Sequence, residues 1–342
     1  MLGKPSIEQV EEFWGRDADR FIRTVKGISV WIAGLIIEYR RGRRSIFKVE
    51  NDVVNYSRNY DLENFVGLVF SEDILNEVVK ISVNHHRECR HPYFRLCVDV
   101  ILEWAGSQGV YGNDPKDIRR LAVPKLIMDR KARLKDCEET RRSLYDHFDK
   151  ALEREAKSKE LVREINSWRK AAEKVQSSML RLTSTIVMSH EGLHVYRLQF
   201  KGLAVQIYDA MRRLRNGLAR NLKHELRDQY LGHAIFLKQD EGGRYYIEVL
   251  LFTKNNVIWL FDRLIEMASR EVLPVFGTVE FYVRDHIQCG KMNGEMALRF
   301  VVILTEPEFY FRAKVLNGDR RFWSGRRIVK PKQVERISRQ KK

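Results

Sequence analysis

The run Leu231-Gly232-His233-Ala234-Ile235-Phe236-Leu237-Lys238 is followed by Gln239-Asp240-Glu241-Gly242-Gly243 and then by Arg244-Tyr245-Tyr246-Ile247-Glu248-Val249-Leu250-Leu251-Phe252. Two stretches rich in apolar and aromatic residues, on either side of a short glycine-ended turn, predict a β-hairpin. Upstream, Val195 to Phe200 alternates as a strand, with Arg197 and Gln199 on one side and Tyr196, Leu198 and Phe200 on the other. Leu203 to Leu226 between them has helical spacing. Downstream, Val257 to Leu273 reads as a helix stopped by Pro274. Thr278 to Arg284 and Met296 to Leu304 read as strands, separated by a loop containing Gly290 and Gly294. The expected order is β-α-β-β-α-β-β. Crossovers of the β-α-β type keep one hand, which puts both helices on one side of an antiparallel sheet and leaves the other face open. The expectation is an α+β domain over residues 189–311 on the ferredoxin-like or RNA-recognition-motif-like plan.

Residues 1–123 read as a helical domain. Ser6 and Gln9 resemble a capping box ahead of Val10, Phe13 and Trp14. From about Asp17 to Arg40, Phe21, Val25, Ile28, Ile32, Leu35 and Ile36 recur at three- and four-residue steps, the stripe of a core-facing helix. Helical spacing returns at Leu75, Val78 and Val79 and again from Phe94 to Trp104. Gly106, Gly109, Gly112, Asn113, Asp114 and Pro115 then read as a loop. Residues 124–188 are expected to join the halves as one or two long charged helices. Leu161, Ile165, Trp168, Ala172, Val175 and Met179 alternate steps of four and three along them, as in a coiled-coil seam short enough to pack within its own domain.

The chain has 342 residues, 44% hydrophobic and 32% charged, enough apolar material for real cores. Its most apolar run, Ile28 to Ile37, falls well short of the roughly 20 residues that cross a bilayer. The N-terminus lacks the basic-then-apolar plan of a signal peptide. Cys89, Cys97, Cys137 and Cys289 have no close pairing, so a reducing compartment, the cytoplasm, is expected. The formal net charge is +16, and it is unevenly placed: from Tyr310 to Lys342 twelve Lys and Arg face only Asp319 and Glu335, a net +10. Residues 312–342 therefore read as a basic tail. A polyanion is the natural partner of such a segment, because each neutralised phosphate releases a condensed counterion. Membrane surface is the rival, but the tail after Trp323 has almost no apolar residues to insert.

Three groups of residues are candidate nucleic-acid contacts. On the sheet face expected to be open lie Arg197, Gln199, Tyr246, Glu248, Glu280, Tyr282 and Arg284, where rings stack on unpaired bases and guanidinium groups meet phosphates. An ordinary solvated or covered sheet face has the same alternation. On the expected helix Leu203 to Leu226, and just beyond it, Arg212, Arg213, Arg215, Arg220, Lys223 and Arg227 surround a Leu214, Leu218 and Leu222 stripe. In the tail, Arg320-Arg321-Phe322-Trp323-Ser324-Gly325-Arg326-Arg327 interleaves arginine with aromatics. The alternative there is that Phe322 and Trp323 anchor the chain on its domain while the arginines face water. Single-stranded nucleic acid is the favoured partner, and the helical half is a second candidate surface for a protein.

The hairpin from Leu231 to Phe252 resembles the core hairpin of the YagK/YfjJ-like family, which is similar to the replication initiators of filamentous phages and, more broadly, to the HUH endonucleases. The resemblance covers Leu193 to Trp323. It implies a phage or mobile-element context. It also implies a metal held by His-hydrophobic-His on the second hairpin strand, and a nucleophilic tyrosine on the following helix. This sequence has Tyr246 and Glu248 at the matching positions, and Val257 to Leu273 contains no tyrosine. The resemblance therefore implies a catalytically degenerate relative. Glu248 is the one residue left as a ligand, for Mg²⁺ or Mn²⁺ if any metal is bound.

His85, His86, Cys89, His91 and Cys97 crowd into thirteen residues, but no second ligand pair matches, and Arg87, Arg90 and Arg95 oppose a dication. No phosphate-cradling glycine loop, Gly-x-Ser-x-Gly, His-Glu-x-x-His or paired Cys-x-x-Cys is present. The expectation is thus a nucleic-acid-binding protein. A metal-dependent single-strand nickase and a protein-binding scaffold remain the alternatives.

Overall fold

The protein is described from a computed structural model over residues 16–42, 47–50, 53–56, 90–107, 134–202, 208–239, 245–276, 279–290, 294–310, 312–313 and 321–326. The chain divides into two compact units, one of Met1–Ser178, Lys238–Tyr245 and Arg299–Asp319, the other of Met179–Leu237, Tyr246–Leu298 and Arg320–Lys342.

The first unit is built on helices. In α1 (Arg16–Arg40) five residues of the expected stripe, Val25, Ile28, Ile32, Leu35 and Ile36, are fully buried. Gly42, with φ of +88°, takes the left-handed conformation just past the helix end, and its N–H donates to the Tyr39 carbonyl. A short hairpin follows, β1 (Phe47–Glu50) pairing antiparallel with β2 (Val53–Tyr56), whose four-residue strands are too short to be read from alternation. Helix α2 (Pro92–Ser107) has proline at its first position and turns Phe94, Cys97, Val98, Ile101 and Trp104 inward. Gly106, expected to open a loop, lies in its last turn. Leu144, Phe148, Ala151 and Leu152 of α3 (Leu134–Ala156) join the same core. After Lys157 and Ser158 the chain enters α4 (Lys159–Ser189), capped by Ser158, whose Oγ accepts from the Leu161 N–H at 3.1 Å. Of the expected seam, Leu161, Trp168, Ala172 and Met179 are buried, and Ile165 and Val175 half-buried. The expected helix at Ser6 to Trp14, the periodicity at Leu75 to Val79 and the loop from Gly109 to Pro115 lie outside the described residues.

The second unit carries a five-stranded antiparallel sheet, so the fold class is α+β. From there on the elements in chain order are β3 (Gly192–Gly202), α5 (Tyr208–Leu226), β4 (Tyr230–Gln239), β5 (Tyr245–Thr253), α6 (Phe261–Phe276), β6 (Val279–Gly290), α7 (Gly294–Thr305) and β7 (Phe322–Arg326). The strand order is β6-β3-β5-β4-β7. Phe261 of α6 meets Tyr196 of β3 edge-on at 5.3 Å, which sets the Tyr196, Leu198 and Phe200 side of the sheet against that helix.

Four expectations are corrected here. The expected strand Met296 to Leu304 is helical: Ala297, Phe300, Val301 and Leu304 are buried while Met296 and Arg299 are exposed, a three-and-four spacing that only a helix satisfies. Helix α6 runs through Pro274 to Phe276, because a proline in the final turn removes one N–H bond without preventing the turn from closing. Within the segment expected to be a basic tail, Phe322–Arg326 supplies the sheet's fifth strand, with Phe322 opposite Phe236 and Arg326 opposite Gly232. Finally, the sheet face expected to be open is covered at its centre. Val195 to Phe200 and the whole of β4 are buried, so these strands are buried on both faces.

Candidate nucleic-acid interface

At the centre of the sheet, register places Gln199 of β3 opposite Glu248 of β5, and Arg197 opposite Asp285 of β6. A bulge between Arg197 and Leu198 inserts Arg284 as an extra residue on β6. The Arg197 guanidinium forms an ion pair with Glu248 through Nε and a second with Asp285, Nη1 to Oδ2 at 3.2 Å. Glu248 is 0% exposed and Arg197 4%. Burial opposes the charge on Arg197, but Glu248 and Asp285 outweigh it and raise its pKa. Burial also lifts the Asp285 carboxyl above its ordinary range despite the neighbouring guanidinium.

This geometry does not fit a divalent metal at Glu248. The positive charge a metal ion would supply already comes from Arg197, and a guanidinium and a dication cannot share so buried a carboxylate without strong repulsion. Among the described residues no group of three or more His, Cys, Asp or Glu is arranged to hold an ion. Of the histidine and cysteine cluster, Cys97 is a buried thiol whose pKa burial drives upward. His91 Nδ1 accepts from the Tyr93 N–H at 3.2 Å. His85, His86 and Cys89 lie outside the described residues.

Of the remaining sheet candidates, Gln199 is buried beside the Arg197–Glu248 pair, whereas Tyr246, Tyr282 and Arg284 are half-buried or exposed. Gln199, 6% exposed, accepts from Arg284 Nε at 2.6 Å. Tyr246 is half-buried with Lys201 Nζ 5.7 Å over its ring. Tyr282 is exposed on the edge strand; its hydroxyl donates to Glu280 at 2.7 Å, and the Arg284 guanidinium lies 4.7 Å over its ring. The structure thus brings Arg197, Gln199 and Glu248 together as a buried polar group, which the exposed Arg284 of the edge strand reaches through Gln199, rather than as an accessible platform. No family model, no curated protein and no solved structure matches this chain.

Helix α5 is different. Leu214, Leu218 and Leu222 are fully buried, as the apolar stripe requires, and Arg212, Arg213, Asn216, Arg220 and Lys223 are exposed. At about 100° per residue these five lie within one arc of roughly 100°. Arg227, just beyond the helix end, is also exposed, and it adopts a φ of +43°. Asp209 in the first turn lies 3.3 Å from Arg212. The remaining cation of the segment, Arg215, is buried instead, and its guanidinium stacks 3.6 Å over the Trp323 ring. That contact, with Phe236 against Phe322 at 5.1 Å, fastens β7 to the domain. Trp323 and Arg321 are half-buried, and the Arg321 carbonyl accepts from the Leu237 N–H at 2.9 Å. Arg326 ends β7, whereas Arg320 and Arg327 lie outside the described residues.

One cluster escapes sequence reasoning, at the end of the sheet where β3 begins and β6 finishes. His194, Tyr196 and His286 form one ring group there, and Ile258 and Trp259 stand exposed close in sequence to Asn256, a partner of Tyr196. The available signal is His194 and Tyr196 two apart on a strand, but a distant partner on β6 is not visible from spacing.

Proposed function

We propose that this chain binds nucleic acid by laying the phosphate backbone along the outward face of α5, with the basic C-terminal segment adding charge. The observation that carries the reading is the arc of Arg212, Arg213, Arg220 and Lys223 around Asn216 on one side of a helix. From Arg212 to Lys223 the arc is about 16 Å long at 1.5 Å per residue, enough to meet several phosphates. Arginine suits the task because its planar fork pairs phosphate oxygens two at a time.

The strand order β6-β3-β5-β4, with α5 after the first strand and α6 after the third, supports a ferredoxin-like plan to which α7 and β7 are additions. The likeness to replication initiators of phages and mobile elements then reads as a shared scaffold without the metal chemistry. The Arg197–Glu248 pair supports that reading, since a guanidinium stands where a metal would be needed. Among the described residues no helix is long and apolar enough to cross a membrane.

The test is filter binding of single- and double-stranded DNA and RNA at two salt concentrations, comparing the native chain with Arg213→Ala/Arg220→Ala/Lys223→Ala. The expected result is weaker binding and a salt slope reduced by about 2, because each phosphate left without its cation takes roughly 0.7–0.9 from the slope. An unchanged slope would overturn the assignment to α5. A covalent protein–DNA adduct formed with Mg²⁺ or Mn²⁺ and abolished in Glu248→Ala would overturn the non-catalytic reading.

A further inference from the structure

His286 is exposed on β6, the edge strand, and its ring lies flat against that of Tyr196, with centroids 4.3 Å apart and planes 3° from parallel. His194, half-buried on the neighbouring β3, is nearly coplanar with His286: the planes differ by 10°, the centroids are 5.2 Å apart, and Nδ1 of His194 is 2.9 Å from Nε2 of His286. Rings so arranged meet nitrogen to nitrogen, edge to edge, and share one proton in an N–H···N bond. Head-on lone pairs do not converge on a metal ion, which needs its ligands to meet at an angle. They do produce a rigid planar surface, wider than one imidazole, backed on one side by Tyr196.

That backing is itself locked. The Tyr196 hydroxyl donates to Asn256 Oδ1 at 3.0 Å and accepts from the Val257 N–H at 3.1 Å, and Phe261 abuts its ring edge-on. Asn256 Oδ1 also accepts from the Ile258 N–H at 3.1 Å. The same segment therefore pins the ring stack and presents Ile258 and Trp259, which are 54% and 66% exposed. Large apolar side chains this exposed, next to an ordered aromatic stack, mark an interaction surface. Its ring chemistry is that of base stacking, because histidine, tyrosine and tryptophan all offer flat faces to a base. Lys254 and Arg263, exposed at either end of the segment, supply cations for a backbone; Asp262, also exposed, is the one carboxylate between them.

We propose that His286, seated on Tyr196 and held in plane by His194, forms with Trp259 a stacking site for unpaired bases of a single-stranded nucleic acid. This rests on the nucleic-acid reading above and adds to it a site that α5 does not contain. It also moves the stacking surface away from Tyr246 and Tyr282, on the sheet face whose centre is covered.

The experiment compares fluorescently labelled oligo(dT), oligo(U) and a wholly abasic deoxyribose-phosphate strand of the same length, by anisotropy at one salt concentration. The native chain is expected to bind the base-bearing strands about fivefold or more tighter than the abasic strand, the effect of at least one stacked base. Trp259→Ala/His286→Ala is expected to lose that preference while holding the abasic strand as the native chain does. His286→Phe, which keeps a flat ring, is expected to retain it. The oligo(dT) and oligo(U) arms show whether deoxyribose or ribose is preferred at the site. Equal affinity of the native chain for base-bearing and abasic strands overturns the stacking site and leaves binding along α5 standing. Absence of binding to all three strands overturns both. Retention of the preference in the double variant places stacking elsewhere and overturns the assignment to these residues.

Discussion

Arg197 and Glu248 face each other where neither meets water, and Asp285 completes the set. Such a group is held together by its mutual neutralisation: removing one member leaves a buried charge without compensation. Arg197→Met is therefore expected to cost about 3–5 kcal/mol in urea unfolding at pH 7, because the fully buried Glu248 carboxylate then loses its cation. Arg197→Met/Glu248→Met is expected to cost less than the single change, since it removes the orphaned charge along with its partner. A single variant as stable as the native chain would show that the pair is solvated. The same residues show what sequence can and cannot reveal. That Arg197, Gln199 and Glu248 share a face follows from strand alternation and register. That the face is covered does not follow, because alternation looks the same whether a polar row meets solvent or a buried partner.

The elements are legible to different degrees for physical reasons. Helix α1 announces itself because its buried residues recur at steady three- and four-residue steps over a stretch too long for a strand. Helix α7 reads as a strand because Phe300, Val301, Val302 and Ile303 make a short run in which β-branched residues dominate, and short apolar runs carry little period information. The decisive clue is Ala297, Phe300, Val301 and Leu304 at steps of three, one and three. Strand β7 is legible only as an alternative, the docking of Phe322 and Trp323. Its packing leaves little room: a Cβ added at Gly325 would sit 2.9 Å from His233 Cε1 and 3.2 Å from both His233 Nε2 and the Tyr230 hydroxyl oxygen. These two side chains are buried and bonded to each other at 2.8 Å, so neither moves aside freely. Gly325→Ala is expected to destabilise the chain by about 1–3 kcal/mol, the usual range for overpacking. Hydrogen exchange of the Gly232 to Phe236 amides, on the strand that β7 pairs with, is expected to quicken in the same variant. Unchanged exchange would mean that β7 does not depend on this close approach.

At the scale of the whole molecule, the net charge and the neutral histidines respond to pH in opposite ways. Lowering the pH adds positive charge to an already basic surface and so favours polyanion binding, but it works against the fold. Each unit contains an imidazole withdrawn from water. In the first, His91 is held down at about 4 by burial, then by Arg312 and Arg95; in the second, burial alone holds His233 at about 4. The ordinary value is 6.5 in both cases, so the unfolded chain takes up protons first. A depressed folded-state pKa gives stability that is fully present above about 6.5 and is lost as pH falls through 4. For His233, 5% exposed and bonded to Tyr230, the loss at pH 5 is about 2 kcal/mol. His194, lowered by burial and by His286, acts in the same direction. The native chain is therefore expected to show urea midpoints that fall steadily from about pH 7 to about pH 4.5. His233→Gln keeps a polar group near Tyr230 but cannot take up a proton. It is expected to lower stability at pH 7 yet to make the fall with pH shallower, by about that same 2 kcal/mol at pH 5. An equally steep fall in His233→Gln would show that this imidazole is not kept neutral by its burial, and would assign the acid sensitivity to His91 and to groups outside the second unit's core.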